Sequence, residues 1–196
     1  MGLGKTVQAI AFIAHFGSPA LVISPAFLVA QWTRTLASHG VTADVLSYDV
    51  ARRGRAEGRE WACIVLDEAH YIKERSSART QALLPVLHEC DNVLLCTGTP
   101  CPNRPEEMYT LLHALWPSVV GSFRSFATRY CNARKTRFTP FDTSGASRRD
   151  ELAWLLQRAF MVRRLKKDVL GQLPPKVCSP VVIACDPRHV ARIDAL

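Results

Sequence analysis

Three short segments of this chain carry groups that could bind a phosphorylated ligand, and the first is Gly2-Leu3-Gly4-Lys5-Thr6. Its glycines let backbone amides turn toward a phosphate, and the helix predicted to begin at Lys5 adds its positive end. The Lys5 ammonium could reach the outer phosphates of a nucleotide, and the Thr6 hydroxyl could bind Mg²⁺. The alternative is a flexible, glycine-rich stretch ahead of an ordinary helix.

The second segment is Asp67-Glu68-Ala69-His70, which directly follows the apolar run at 62–66. A buried strand would carry both acids to one edge of a sheet, where Asp67 could hold Mg²⁺ through water and Glu68 could activate an attacking water. The alternative is an acidic loop that caps the next helix, although paired acids after a buried strand are costly without a partner. His70 could be a packed histidine or, beside Glu68, a link to a neighbouring element.

The third segment is Thr97-Gly98-Thr99-Pro100, which follows the apolar run at 92–96. Its hydroxyls would lie at the same sheet edge as the acids and could sense what occupies the phosphate site. Taken alone, the tetrapeptide is typical of a turn. In this order, however, the helix-start lysine, the acid pair and the hydroxyl pair form a much more specific pattern than any one segment.

The elements that must position these segments are predicted from the spacing of apolar residues. Strands and helices alternate through the first hundred residues, which indicates an α/β fold with a parallel sheet. Strands are predicted at 20–24, 44–48, 62–66 and 92–96, and helices at 5–16, 28–38 and 77–88. After Pro100 the pattern is mainly helical, with helices at 105–115, 122–130 and 150–163, a strand at 181–184 and a helix from 187.

Charge and cysteine content limit the class of protein. The formal charge is +8, and the whole surplus lies after residue 100, where 16 Lys and Arg stand against 8 Asp and Glu. This asymmetry favours a polyanionic partner for the second half, against the alternative of a solvated basic face. The seven cysteines form no C-x-x-C pair, and no apolar run reaches the ~18 residues of a membrane span. A reducing, intracellular location and no membrane partner are therefore expected.

In this order, GLGKT, DEAH and TGTP resemble the first RecA-like lobe of SNF2-family DNA-dependent ATPases, in helicase superfamily 2. LVISPAFLVAQW at 21–32 is similar to the first DNA-facing segment of that family, and RRLKKDVLGQLPPK at 163–176 to its connector before the second lobe. YCNAR at 130–134 and FDTSGASRRDELAWLL at 141–156 resemble the HARP-like branch, whose members are annealing helicases that remodel forks.

The resemblance implies ATP and Mg²⁺ as cofactors, and duplex or forked DNA, bound without sequence preference, as the partner. It assigns ATP binding and hydrolysis to Gly2, Leu3, Gly4, Lys5, Thr6, Asp67 and Glu68, with Thr6 and Asp67 on the metal. It assigns the coupling of nucleotide state to DNA to His70, Thr97, Gly98 and Thr99. The residues it places near the DNA backbone are Ser24, Pro25, Arg134, Lys135, Arg137, Arg163, Arg164, Lys166 and Lys167.

Three regions are predicted: a RecA-like ATP-binding lobe at 1–117, a helical extension with the connector at 118–176, and a strand and helix at 177–196 that lead toward a second lobe. The family's phosphate loop and the strand before it would begin upstream of Met1. We therefore expect an incomplete sheet, a fragment of a longer ATPase, and little activity without the second lobe. The expected location is nuclear in a eukaryote and cytoplasmic or nucleoid-associated in a bacterium, and no feature indicates a homo-oligomer.

Two other functions fit the same residues. One is a non-catalytic DNA- or protein-binding module, because half of the family's catalytic apparatus is missing from the chain. The other is an RNA-dependent enzyme, since Asp-Glu-Ala-His also occurs in RNA helicases, although Thr-Gly-Thr-Pro stands where those families carry Ser-Ala-Thr. The nucleotide hypothesis requires Lys5 and Asp67 to lie at the same edge of the sheet.

Overall fold

Four parallel strands form the sheet that carries the predicted site residues. The computed structural model describes residues 2–99, 104–137, 139–169 and 171. Its strands are β1 Ala20–Ser24, β2 Asp44–Ser47, β3 Cys63–Asp67 and β4 Val93–Cys96, in the order β2-β1-β3-β4. Every pairing is parallel, and Asp67 lies opposite Cys96. The predicted α/β fold with a parallel sheet is confirmed, and all four carboxyl ends lie at one edge.

Helices cover both faces of this sheet. The first four are α1 Lys5–Phe16, α2 Val29–Ser38, α3 Tyr48–Val50 and α4 Ala78–His88. β1 and β3 are buried at every position, which accounts for sequences that are apolar up to the last residue of each strand. α1 and α2 pack on one face through residues such as Ile13 and Trp32, and α4 packs on the other through Leu83 and Leu87.

A third hydrophobic cluster, beside the one on each face of the sheet, holds the helices that follow β4. They are α5 Glu106–Leu115, α6 Pro117–Val120, α7 Phe123–Tyr130 and α8 Arg149–Leu155. α5 joins this cluster to the one on the α4 face, because Leu111 packs on the sheet while Met108 and Leu112 pack with Phe126 and Leu152. Residues 1–163 form one compact unit, and residues 164–196 form a second, which contains the short helix α9 Lys166–Val169. The region boundaries predicted at 117 and 176 stay predictions.

Two elements end earlier than predicted. β2 stops at Ser47, whose Oγ accepts a hydrogen bond from the Val50 amide at 3.3 Å and so starts α3 at Tyr48. α8 continues only as a wider helical turn to Phe160, where the Met161 amide donates to the Leu156 carbonyl at 2.7 Å and the chain becomes extended. The strand predicted at 181–184 and the helix predicted from 187 lie outside the described residues. Within the described ranges, no helix is long and apolar enough to cross a membrane.

Candidate functional site

Helix α1 runs against the direction of the strands, so that its first residue lies at the carboxyl edge of the sheet. At its far end, the Cys63 thiol at the start of β3 is 3.8 Å from the Gly17 carbonyl oxygen. At its near end, the positive charge of Lys5 acts on the thiol of Cys96, the last residue of β4. Burial raises the pKa of the Cys96 thiol to about 11, the Asp67 carboxylate adds to the rise, and the Lys5 ammonium opposes it. Lys5 and Asp67 therefore act on one thiol at one sheet edge.

The loop before α1 presents its amides without a side-chain cap. Gly4 adopts a left-handed conformation with φ 73°, which glycine reaches without strain, and no side chain caps the helix start. The Gly4 carbonyl accepts from the Gln8 amide at 3.0 Å, and the Gln8 side-chain amide holds the Leu3 carbonyl at 2.9 Å. Amides at an uncapped helix start are groups that bind phosphate oxygens. Thr6, the second residue of α1, is half-buried beside them.

Hydrogen bonds from three directions hold Asp67 at the end of β3. Its Oδ2 accepts from the Trp32 indole N–H at 2.9 Å, and its Oδ1 accepts from the Glu68 amide at 3.0 Å. The backbone carbonyl of Asp67 accepts from the Tyr48 hydroxyl at 2.9 Å. Burial, followed by the Asp67 charge, raises the pKa of Tyr48 well above its usual value, so the phenol stays a donor. Carboxylate and hydroxyl oxygens are ligands that Mg²⁺ prefers, so Asp67 and Thr6 suit that ion chemically.

Glu68 begins a chain of polar contacts from β3 to β4. It adopts the left-handed region, with φ 51° and ψ 51°, and its carboxylate is partly exposed. The Oε2 of Glu68 lies 3.3 Å from the Nδ1 of His70, and that Nδ1 lies 3.3 Å from the Thr97 hydroxyl. The Thr97 hydroxyl also accepts from the Thr99 amide at 3.1 Å, across the exposed Gly98. The acids after β3 and the hydroxyls after β4 are thus connected through His70.

The predicted DNA-facing residues at the end of β1 have enclosed side chains. Ser24 is fully buried and its hydroxyl donates to the Pro25 carbonyl at 3.3 Å, and Pro25 is buried as well. The helical turn Ala26–Leu28 that follows carries Phe27, which is 77% exposed. Contact of Ser24 and Pro25 with DNA stays a prediction, and Phe27 is a large apolar residue of this segment that faces solvent.

The predicted basic residues follow the acid pair by more than 60 positions in the sequence, and they fall into three groups. Arg134, Lys135 and Arg137 are exposed, and Arg134 forms an isolated backbone bridge with Asp142. Arg163 is exposed at the end of the first unit. Arg164, Lys166 and Lys167 belong to the second unit, where Lys166 begins α9.

A basic groove on the helical extension was not predicted from the sequence. This cavity of about 540 Å³ is lined by Ser122, Arg124, Ser125, Thr128, Arg129 and Arg148. One carboxylate, Glu151, lies 2.6 Å from Arg129 and 3.5 Å from Arg148. The signal available in the sequence was the surplus of positive charge after residue 100, which does not indicate that residues 122–129 and 148 come together.

Sequence reasoning also missed Trp32 and Tyr48 as partners of Asp67. The helical spacing of Trp32 and Leu36 indicates that both are buried, and they are. Spacing does not indicate which way the indole N–H points, or that residues 35 positions apart share a hydrogen bond. The predicted strand position of Tyr48 likewise carries no information about Asp67.

Comparison with known proteins identifies the relatives of this chain. The SNF2-related domain matches residues 44–192. The SWI/SNF-related matrix-associated actin-dependent regulator of chromatin subfamily A-like protein 1 of Xenopus tropicalis is 33% identical over 207 residues, which cover 94% of this chain and 22% of that protein. The DNA annealing helicase and endonuclease ZRANB3 of Mus musculus is 34% identical over 229 residues, which cover 100% of this chain and 21% of that protein.

A solved structure shows the same fold. The Sulfolobus solfataricus SWI2/SNF2 ATPase core in complex with dsDNA matches with a TM-score of 0.71 and 25% identity, over 100% of this chain and 45% of that one. This chain spans about a fifth of the length of the curated relatives it matches. The resemblance found in the sequence is confirmed: the chain belongs to the family of proteins with an SNF2-related domain.

Proposed function

We propose that this chain is the first nucleotide-binding lobe of an ATP-dependent motor that remodels duplex or forked DNA. The observation that supports the proposal is that Lys5, Asp67 and Glu68 all act electrostatically on Cys96, the residue opposite Asp67 at the end of β4. Cations, uncapped amides and carboxylates at the carboxyl edge of a parallel sheet are what a magnesium-bound triphosphate requires. Family membership supports the same conclusion, since SNF2-type ATPases use ATP.

In this proposal each residue of the edge has a separate task. The amides of residues 2–6 and the Lys5 ammonium bind the phosphates, while Thr6 and Asp67 hold the metal ion. Mg²⁺, when bound, neutralises charge on the phosphate oxygens. Glu68 orients a water molecule toward the terminal phosphate and accepts its proton. The Nδ1 of His70 contacts both the Glu68 carboxylate and the Thr97 hydroxyl, so a change at the phosphate can reach the end of β4 through this one atom.

The charge of the helical extension supports DNA as the partner. The groove around Arg124, Arg129 and Arg148 presents three guanidinium groups and three hydroxyls, which are the groups that contact phosphates without reading sequence. The names of the mouse relative and of the archaeal complex, an annealing helicase and a core bound to dsDNA, point to the same substrate class. Such a motor would act where genomic DNA lies, in the nucleus of a eukaryote or the nucleoid of a bacterium.

The proposal is tested by ATP hydrolysis with and without duplex DNA. The assay uses this chain and the longest natural protein that contains it. Lys5→Ala is expected to weaken nucleotide binding severely, whereas Glu68→Gln is expected to retain binding and lose about 10²–10⁴-fold in turnover, the usual contribution of a general base. Glu89→Gln, an exposed glutamate at the end of α4, is the matched control and should behave as wild type.

Three outcomes would contradict parts of this function. Full turnover in Glu68→Gln would show that Glu68 is not the base. Stimulation by RNA and not by duplex DNA would make the protein an RNA-dependent enzyme. Nucleotide-independent DNA binding without any hydrolysis in the longer protein would make this lobe a binding module.

A further inference from the structure

The Trp32 indole joins helix α2 to the carboxylate at the centre of the candidate site. Trp32 is 2% exposed, and its Nε1 lies 2.9 Å from the Oδ2 of Asp67. We propose that Trp32 is a positioning residue, whose N–H fixes the Asp67 carboxylate in the orientation that binds magnesium-bound nucleotide. This inference rests on the proposed function, because it gives Trp32 a role in the same site.

The bond completes a two-sided clamp on the carboxylate. The Glu68 amide holds Oδ1 at 3.0 Å, but this donor is the next residue in the chain and belongs to a left-handed turn. The Trp32 donor comes from a different element, a ten-residue helix that packs on the sheet. With a donor on each oxygen, the carboxylate cannot rotate without breaking a hydrogen bond. An ionised carboxylate accepts about four hydrogen bonds, so two donors leave room for metal-bound water.

The apolar surroundings explain burial of the ring but not the direction of its N–H. Trp32 packs in the cluster that also contains Ile13, Val22 and Val65, and this packing requires an apolar ring but no N–H donor. A tryptophan is useful at such a position only where its N–H finds a partner. Because Asp67 is only 8% exposed, water cannot readily replace that donor. The indole therefore supplies orientation to Asp67 in addition to apolar surface.

The chain contains a matched control in Trp61. Its indole N–H also makes a hydrogen bond of 2.9 Å, but to the backbone carbonyl of Ala56 and not to a carboxylate. Trp61→Phe therefore removes the same donor from the same ring type, without touching Asp67. Any effect shared by Trp32→Phe and Trp61→Phe reflects general loss of a tryptophan, and an effect confined to Trp32→Phe reflects the clamp.

The test measures the affinity for a fluorescent ATP analogue across a titration of Mg²⁺ and in EDTA, with the 196-residue chain and with the longest natural protein that contains it. Trp32→Phe is expected to weaken the apparent Mg²⁺ affinity by about 10-fold, at the lower end of the usual effect of removing a partner of a metal ligand. Its nucleotide affinity in EDTA should stay within about 2-fold of wild type, because the phosphate loop is untouched. Trp61→Phe should leave both affinities unchanged.

Two further measurements keep the test decisive. Benzothienylalanine at position 32 retains the bicyclic shape but has no N–H, so it reproduces the loss of Mg²⁺ affinity even if Trp32→Phe does not fold. In an Asp67→Asn background, Trp32→Phe should cause no further loss, because the carboxylate through which it acts is gone.

The outcomes separate this inference from the proposed function. Unchanged Mg²⁺ affinity in a folded Trp32 variant would overturn the positioning role while leaving the nucleotide site in place. An equal loss in Trp61→Phe, or a full additional loss in the Asp67→Asn background, would also overturn it. Failure of the wild-type proteins to bind magnesium-bound nucleotide would overturn both.

Discussion

Replacement of Glu68 by glycine is expected to stabilise the fold while abolishing catalysis. Glu68 has φ 51° and ψ 51°, and a residue with a β-carbon in this region costs about 1–2 kcal/mol. Glycine removes that cost but gains about 0.4–1 kcal/mol of conformational freedom in the unfolded chain. At the midpoints of these ranges strain relief exceeds the entropic penalty, and the net gain in the free energy of unfolding is about 0.8 kcal/mol.

The comparison that isolates this effect is between Glu68→Gly and Glu68→Gln. Both variants lose the carboxylate that lies 3.3 Å from His70, but only the glycine variant relieves the backbone. Urea denaturation followed by tryptophan fluorescence gives both free energies of unfolding, and ATP hydrolysis gives turnover. Asn132→Gly is a second control: Asn132 has φ 50°, but asparagine tolerates this region, so a smaller gain is expected.

The reasoning is refuted if Glu68→Gly is no more stable than Glu68→Gln. That result would mean that the left-handed turn is not strained, and that the carboxylate is not held in place at the expense of stability. Retained turnover in Glu68→Gly would independently remove the catalytic base from the proposed mechanism.

Two more predictions concern buried thiols and the basic groove. Burial raises the pKa of Cys63 and of Cys96 from 9.0 to about 11. Between pH 9 and 11 these thiols therefore ionise in the unfolded chain but not in the folded one, so the free energy of unfolding should fall as pH rises through this range. Cys96→Val should flatten this dependence in urea titrations, and an unchanged slope would contradict the assignment. In the groove, Glu151→Gln removes the carboxylate that Arg129 and Arg148 share, so the variant should bind duplex DNA more strongly. Its affinity should also depend more steeply on salt: the slope of log K against log salt should steepen by up to about 0.9 for each arginine that gains a phosphate. Glu57→Gln is the control, because Glu57 is exposed and lies outside the groove. If Glu151→Gln binds duplex DNA more weakly than this control, the groove does not bind phosphate.

Much of the fold could be predicted because burial determines it. The central strands β1 and β3 are apolar at almost every position, as strands of a parallel sheet covered on both faces are. Strand ends were less predictable, since they depend on local polar contacts. Ser47 shows this, because its hydroxyl starts a helix where alternation of apolar residues suggested one more strand residue.

The site was predictable as a set of positions but not as a set of contacts. A parallel sheet brings the ends of β3 and β4 to one edge, so the proximity of Asp67 and Thr97 follows from strand order. The left-handed backbone of Glu68 and the hydrogen bond from Trp32 to Asp67 depend on packing between elements far apart in the chain. The groove residues Arg129 and Arg148 come together for the same reason, through α7 and α8.

The central claim is that Lys5 and Asp67 bind one and the same magnesium-bound nucleotide. The most direct test is a double-mutant cycle on ATP affinity in excess Mg²⁺, with Lys5→Ala, Asp67→Asn and the combined variant. Two residues on one ligand are expected to be coupled, so the combined variant should bind at least about 10-fold better than additive losses would give. The coupling should disappear in EDTA. Additive losses, or an unchanged affinity in either single variant, would show that the two residues do not share a ligand.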